Sequence, residues 1–245
     1  MAAGKEARMA EAVAYVADVS SVKEVSLLGT VDLELCRATL QDQGLSPVEG
    51  DGRARMVVSA TDARFHGIRF REWTCGLFVR PPDGSPFAEG LYLIHAFNSL
   101  RLFAWIERNC FSTPYYHGTI EAQPSLPAGI RLSVGKRLVF EAAMSSRHLA
   151  RQSSDSLTQT WSGPIFLPRQ PGDHGPGKWF QALLAGETQT HAFMAEDRLT
   201  LDASSSDLFM RWLVDSNFMP QVWSIRQAAR HARSKTFARQ PAPAV

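Results

Sequence analysis

Apolar and polar residues alternate along much of this chain with the two-residue period of half-buried strands. The alternation predicts strands over Val22–Val31, Arg53–Thr61, Ile68–Arg80, Leu91–Phe97, Thr160–Leu167 and Val222–Gln227. Ile130–Met144 has two β-rich halves around Gly135-Lys136 and reads as a hairpin, and Thr188–Leu201 reads as another. Helical spacing appears only in short runs. Residues 4–17 carry Met9, Val13 and Val16 at that spacing. Asp32 caps a helix over Leu33–Gln43, which Gly44 stops. Further helices are predicted over Leu100–Cys110, Trp179–Leu184 and Ser206–Asp215, the last capped by Ser205 or Ser206. Phe65-His66-Gly67 and Pro81-Pro82-Asp83-Gly84 are turns, and residues 145–158 and Pro168–Lys178 are loops. Arg230–Arg239 reads as a basic end that frays.

No repeat and no shift of composition divides the chain. Some ten strands with a few short helices argue for one α+β domain built on a large antiparallel, closed sheet. The expected layout is a helical extension over 1–21, a single domain over 22–235 and a disordered tail over 236–245.

The stretch Leu91–Ala122 concentrates the polar side chains best suited to a site. A strand breaks at Asn98-Ser99, a pair suited to cap the following helix, and Pro114 opens a strand through Tyr115, Tyr116 and His117. Asn98, Arg101, Arg108, Tyr115, Tyr116 and His117 stand here among Phe103, Trp105 and Phe111. That mixture reads as a lined cavity.

Composition removes several alternatives. The 245 residues are 44% hydrophobic and 20% charged, an ordinary globular balance. A net charge of +2 gives no general electrostatic reason to expect nucleic acid or an anionic membrane. No run approaches a membrane span, and the N-terminal apolar patch is too short for a secretory signal, so a cytoplasmic location is expected. Cys36, Cys75 and Cys110 show no CxxC spacing and read as buried thiols. The seven histidines form no HExxH or HxH pair, so no metal is expected. Gly172–Lys178 matches GxxxxGK, but Trp179 follows where a phosphate loop needs Ser or Thr, and Pro176 removes an amide. The basic run from Arg226 to Arg239 reads as a solvated terminus, with no nucleic-acid partner.

In order and motif the chain resembles the acetoacetate decarboxylase superfamily. The resemblance rests on Asp32–Gln43 ending in Gly44-Leu45, on Gly67-Ile68-Arg69-Phe70-Arg71-Glu72, and on Arg108-Asn109-Cys110-Phe111-Ser112-Thr113-Pro114-Tyr115-Tyr116. It is closest to a branch with Thr113-Pro114-Tyr115-Tyr116-His117 in place of the lysine motif, a strand like Leu91–Ser99 and a later Gly163–Pro168. It implies a closed barrel with a small apolar pocket.

The lysine-dependent decarboxylases carry two lysines where Tyr115 and Tyr116 stand. A phenol cannot form an iminium with a ketone, so that mechanism is not expected. Lys136, one of only five lysines, sits at a turn and lacks the desolvation a catalytic amine needs. The resemblance implies Glu72 as an acid/base group raised by desolvation, with Tyr115 and Tyr116 as catalytic hydrogen-bond donors. It implies Arg108, His117, Asn98 and His95 as substrate-binding groups, with no cofactor. Tyr115 and His117 share one face of their strand and Tyr116 takes the other, so one set lines the cavity. The expected activity is acid/base chemistry on a small carbonyl or carboxylic-acid metabolite: decarboxylation, dehydration or isomerisation. The alternative is a non-catalytic barrel that binds a small apolar or aromatic metabolite. Self-association into a homo-oligomer stays open.

Overall fold

The computed structural model describes residues 14–147, 156–169, 177–205 and 207–239. The described chain runs β1 (Tyr15–Asp32), α1 (Leu33–Leu40), β2 (Ser46–Pro47), β3 (Glu49–Gly50), β4 (Arg53–Phe65), β5 (Ile68–Arg80), β6 (Gly90–Asn98) and α2 (Arg101–Cys110). It continues through β7 (Tyr115–His117), β8 (Thr119–Gln123), β9 (Gly129–Val134), β10 (Arg137–Ala143), β11 (Ser156–Leu167) and β12 (Lys178–Ala192). It ends with β13 (Arg198–Leu201), α3 (Leu208–Asp215), β14 (Met219–Ser234) and β15 (Phe237–Ala238).

Two sheets result. The larger has the order β2-β5-β4-β1-β14-β12-β11-β6-β7, with β3 on β4 and β15 on β12. β6 also pairs with β5, so the ladder followed from β5 to β6 arrives back at β5. The smaller sheet has the order β13-β10-β9-β8. Pairing is antiparallel except at β6, whose second edge is shared by β11 at Leu91–Tyr92 and by β7 at Ala96–Asn98.

Local chemistry explains the turns that hold this register. His66 and Gly67 both take positive φ (47° and 83°), the conformation of a two-residue hairpin turn that continues strand twist. Gly44 at φ 60° closes the helical run that Asp32 opens by accepting the Leu35 amide.

Several local predictions give way to pairing. Trp179–Leu184 is strand because both edges are used: Leu184 lies opposite Trp161 on β11 and opposite His231 on β14. Cross-strand partners outweigh local propensity here. Thr188–Leu201 is no hairpin, since β13 pairs with β10 in the other sheet. Tyr15 is already in a strand, paired with Ser234, where a helix over 4–17 is expected; residues 4–13 lie outside the described ones. The basic end does not fray: β14 runs to Ser234, and β15 pairs with β12 at Trp179 and Lys178. Asp207, not a serine, caps α3, accepting the amides of Phe209 and Met210. The N-cap of α2 is Leu100, whose amide donates to Asn98 Oδ1 at 2.8 Å. Cys36 and Cys75 are buried as expected, and Cys110 is exposed.

The main core lies between the sheets. Trp73, fully buried, meets Phe97, Phe140 and Phe209 edge-on at ring separations of 5.9, 5.4 and 5.7 Å. A smaller cluster of Leu93, Ala96, Ala104, Tyr115, Leu167, Phe180 and Ala182 lies on the other face of the large sheet.

Candidate active site

Side chains alternate across a strand, so Glu72 points away from the core that Trp73 enters. Register carries this second face across the sheet. Arg226, Glu24, Thr61, Glu72 and Asn98 stand opposite one another on β14, β1, β4, β5 and β6. One pleat further along lie Ser26, Ser59, Thr74, Ala96 and Tyr115. A polar row this long on a sheltered face must satisfy itself internally.

At one end Glu24 is sealed from solvent. Its Oε1 accepts Ser26 Oγ at 2.7 Å, and its Oε2 accepts Arg226 Nη1 at 3.0 Å and His231 Nε2 at 2.9 Å. Burial alone pushes this carboxyl up, but bonding and charge from His231, with Arg226 and Ser26, more than offset it and hold Glu24 at about 2. Arg226 is itself fixed by Nε donating to Thr188 Oγ1 at 2.8 Å.

Glu72 behaves in the opposite way. Asn98 Nδ2 donates to its Oε1 at 3.2 Å, and the Tyr115 phenol lies beside its carboxylate. Burial, followed by the nearby Glu107 charge, pushes Glu72 up to about 7, against the charges of His231 and Arg233. Burial and then Glu72 and Glu107 drive the Tyr115 phenol well above its ordinary value, so it is a neutral donor.

The third feature is Glu107 on α2. Arg233 Nη1 donates to both its oxygens at 2.8 and 2.6 Å, and Thr113 Oγ1 donates to Oε2 at 3.0 Å. The Arg233 guanidinium lies over the rings of Phe111 and Phe180, 4.8 and 4.2 Å from their centroids. Its Nε and Nη2 are buried and have no hydrogen-bond partner among the described residues. Those two N–H groups form one edge of the planar fork, a geometry that fits a two-oxygen acceptor side-on. Glu24 and Glu107 thus pair with Arg226 and Arg233.

The structure therefore divides the residues expected to converge. Glu72, Asn98 and Tyr115 come together. Tyr116 faces the other way, its ring 4.7 Å from that of His95, which is also stacked on Phe209 at 4.4 Å. Burial holds the His95 imidazole down at about 4, so it is neutral. Arg108 is exposed, 5.3 Å over the Tyr116 ring, and the inward position on α2 belongs to its neighbour Glu107. His117 lies on the Tyr115 side of β7 but is exposed. Glu24, Glu107, Arg226, His231 and Arg233 were not anticipated. Glu24 had a signal, a lone carboxylate between Val22 and Val25 in an apolar strand. The β14 cations were hidden by the reading of that run as a solvated end.

No described lysine stands beside Glu72. Lys23, Lys136 and Lys235 are exposed, and Lys178 Nζ donates to Ser112 Oγ at 2.9 Å. The GxxxxGK run gains no support either: residues 170–176 lie outside the described ones, and a strand rather than a helix begins at Lys178. Surface depressions lined by Arg69, Phe70, Arg71 and Ser99, and by Ser20, Ser21, Lys23, Asp62 and Arg64, do not include Glu72. Among the described residues no helix is long and apolar enough to cross a membrane.

No protein-family model matches the chain, and no curated protein matches it in sequence. Solved structures do resemble it. The enduracididine biosynthesis enzyme MppR, complexed with the condensation product of pyruvate and imidazole 4-carboxaldehyde, matches with a TM-score of 0.62 at 14% identity, over 90% of this chain and 88% of that one. Acetoacetate decarboxylase from Legionella pneumophila matches at 0.61 and 11%, over 91% and 87%. An acetoacetate decarboxylase-like enzyme from Sphingomonas wittichii matches at 0.56 and 12%, over 91% and 93%. These identities speak to architecture rather than to activity. The chain shares its fold with these acetoacetate decarboxylase-like enzymes.

Proposed function

We propose that the chain is an enzyme that performs acid/base chemistry, without a Schiff base, on a small carbonyl or carboxylic-acid compound. The circuit of strands from β5 round to β6 is read as a closed barrel with the polar row inside it. The observation that carries the proposal is Glu72. It is a sheltered carboxyl raised to about 7, held by Asn98 and Tyr115, and faced by the Glu107–Arg233 pair. A group that titrates near neutrality can both give and take a proton at working pH. The phenol of Tyr115 remains a donor throughout and suits an oxyanion developing on a carbonyl. The free edge of Arg233 suits a carbonyl or carboxylate oxygen. Decarboxylation, dehydration and isomerisation all fit these parts. Tyr116, His95, Arg108 and His117 stand outside the acid/base step. In the Schiff-base mechanism the electron sink is an imine. Tyr115 cannot supply one, so charge must be stabilised by hydrogen bonds alone.

The test is turnover of small oxo acids and enones followed by proton NMR, with wild type beside Glu72→Gln. Product formation in wild type and loss in Glu72→Gln, with the melting temperature of the variant not lowered, is the expected result. Saturable thermal stabilisation by a compound recovered unchanged would instead make the barrel a binding protein.

A further inference from the structure

We infer that His231, backed by Glu24, is a second acid/base group of this site, and that Glu72 and His231 together move a proton across an enolisable carbonyl compound. The inference rests on the reading of Glu72 above and narrows it to isomerisation-type chemistry.

The orientation of the imidazole follows from its partner. Glu24 is an anion and can only accept, so the His231 Nε2 that lies 2.9 Å from its Oε2 carries the proton. Nδ1 is then the lone-pair nitrogen, and it makes no hydrogen bond among the described residues. Burial divides the pair: the Glu24 side chain is 3% exposed, whereas that of His231 is 25% exposed. A carboxylate that hides behind an imidazole and fixes its tautomer leaves the outer nitrogen as a base. Satisfying Glu24 does not explain the arrangement, because Ser26 and Arg226 already bind it.

Placement supports the pairing with Glu72. Glu24 and Glu72 are separated by β4 alone, about 10 Å between backbones at ordinary strand spacing. His231 reaches Glu24 from β14, its Nε2 2.9 Å from Oε2, on the face of the sheet that carries Glu72. The ionisable groups around the imidazole are Glu24 from β1, Arg226 and Arg233 from its own strand, Glu72 from β5 and Glu107 from α2. These opposing charges cancel in pairs, so a proton can pass between Glu72 and His231 without leaving a lone buried charge.

The step balances. His231 Nδ1 takes a proton from the carbon beside the carbonyl, and the C–H pair becomes the C=C bond of the enol. The C=O π pair moves to oxygen, which takes the Glu72 proton. Imidazolium and carboxylate remain. The imidazolium then delivers its proton to carbon while the enol O–H returns its proton to the Glu72 carboxylate and the C=O re-forms, which regenerates both groups.

The first measurement needs no substrate. A nitrogen-15 NMR pH titration of the full chain should show the neutral form of His231 as the Nε2–H tautomer, and an Nδ1–H tautomer overturns the proposal. The second is α-proton exchange in D2O with cyclohexanone, phenylacetone and 2-oxobutyrate as probes. Wild type should exceed buffer with at least one probe, and His231→Gln should lose about 100-fold or more, the usual worth of a general base. Free imidazole should restore part of the loss, which no packing defect would allow. If His231→Gln does not fold, Glu24→Gln should scramble the tautomer and slow exchange about 10-fold, the effect of a lost orienting group. Exchange lost in Glu72→Gln but kept in His231→Gln overturns the role of His231 and leaves that of Glu72 intact. Exchange lost in His231→Gln but kept in Glu72→Gln overturns the reading of Glu72 and the two-group step. No exchange by wild type with any probe overturns the inference.

Discussion

Glu72 and Trp73 are neighbours on β5, yet they lie in environments that work by different physics. Trp73 enters a close-packed aromatic core, where shape decides everything. Glu72 enters a row of polar groups, where charge decides everything and packing is secondary. The core gains stability from every contact. The polar row holds carboxylates and guanidiniums out of water, and its net worth depends on complete pairing. Mutations on the two faces should therefore fail in different ways.

The largest effect belongs to the core. Trp73→Ala should cost about 3–5 kcal/mol in urea unfolding, the range for emptying a buried aromatic site. A loss below 1 kcal/mol would mean that the core is far looser than its ring contacts imply. Next comes acid. Glu24 has a folded value of about 2 against an ordinary 4.5, so its pairing stabilises the fold above pH 4.5. That stability, about 3 kcal/mol by linkage, is lost as pH falls from 4.5 towards 2. Glu24→Gln should flatten that part of the stability–pH curve.

Glu72 should show the reverse sign. Its folded value of about 7 lies above the ordinary 4.5, so the folded state holds a proton that the unfolded chain has released. Stability falls as pH rises from 4.5 to 7 and then levels. Glu72→Gln should remove this penalty and stabilise the protein at pH 8 by about 1–3 kcal/mol, while abolishing turnover. A variant destabilised at pH 8 would show that Glu72 serves the structure. The smallest effect is expected at the surface. Arg108→Ala loses one exposed cation–π contact, about 0.5–1 kcal/mol, and should leave proton exchange unchanged.

How much of this was legible in the sequence follows the same division. The β5 strand was found to the residue, because Phe65-His66-Gly67 and the following prolines punctuate it on both sides. The β9–β10 hairpin at Gly135 was equally clear. Strand β12 was lost because its partners, β11 and β14, lie far away in sequence, and Trp179–Leu184 viewed alone fits a helix. Glu72 and Tyr115, which the motif singles out, come together with Asn98 on one face of the sheet. The motif points to Arg108 and leaves Glu107 unmarked, and no local pattern says which of two adjacent helical residues faces inward. The β14 cations were missed for a physical reason: an arginine that pairs inside a sheet and one that points at water look alike in one dimension.

The order of strands also has a temporal side. β14 fits between β1 and β12, so Tyr15–Asp32 finds one of its two neighbours only when Met219–Ser234 exists. Chains are made from the N-terminus at about 5–20 residues per second, so Glu24 spends roughly ten seconds or more without Arg226 and His231. During that interval β1 has one open edge, which a chaperone or the chain itself must protect. The pairing of Glu24 with Arg226 and His231 is thus among the last parts of the molecule to be assembled. A ribosome-bound chain that stops short of residue 226 should hold Trp73 in a partly formed core but leave Glu24 without its partners Arg226 and His231.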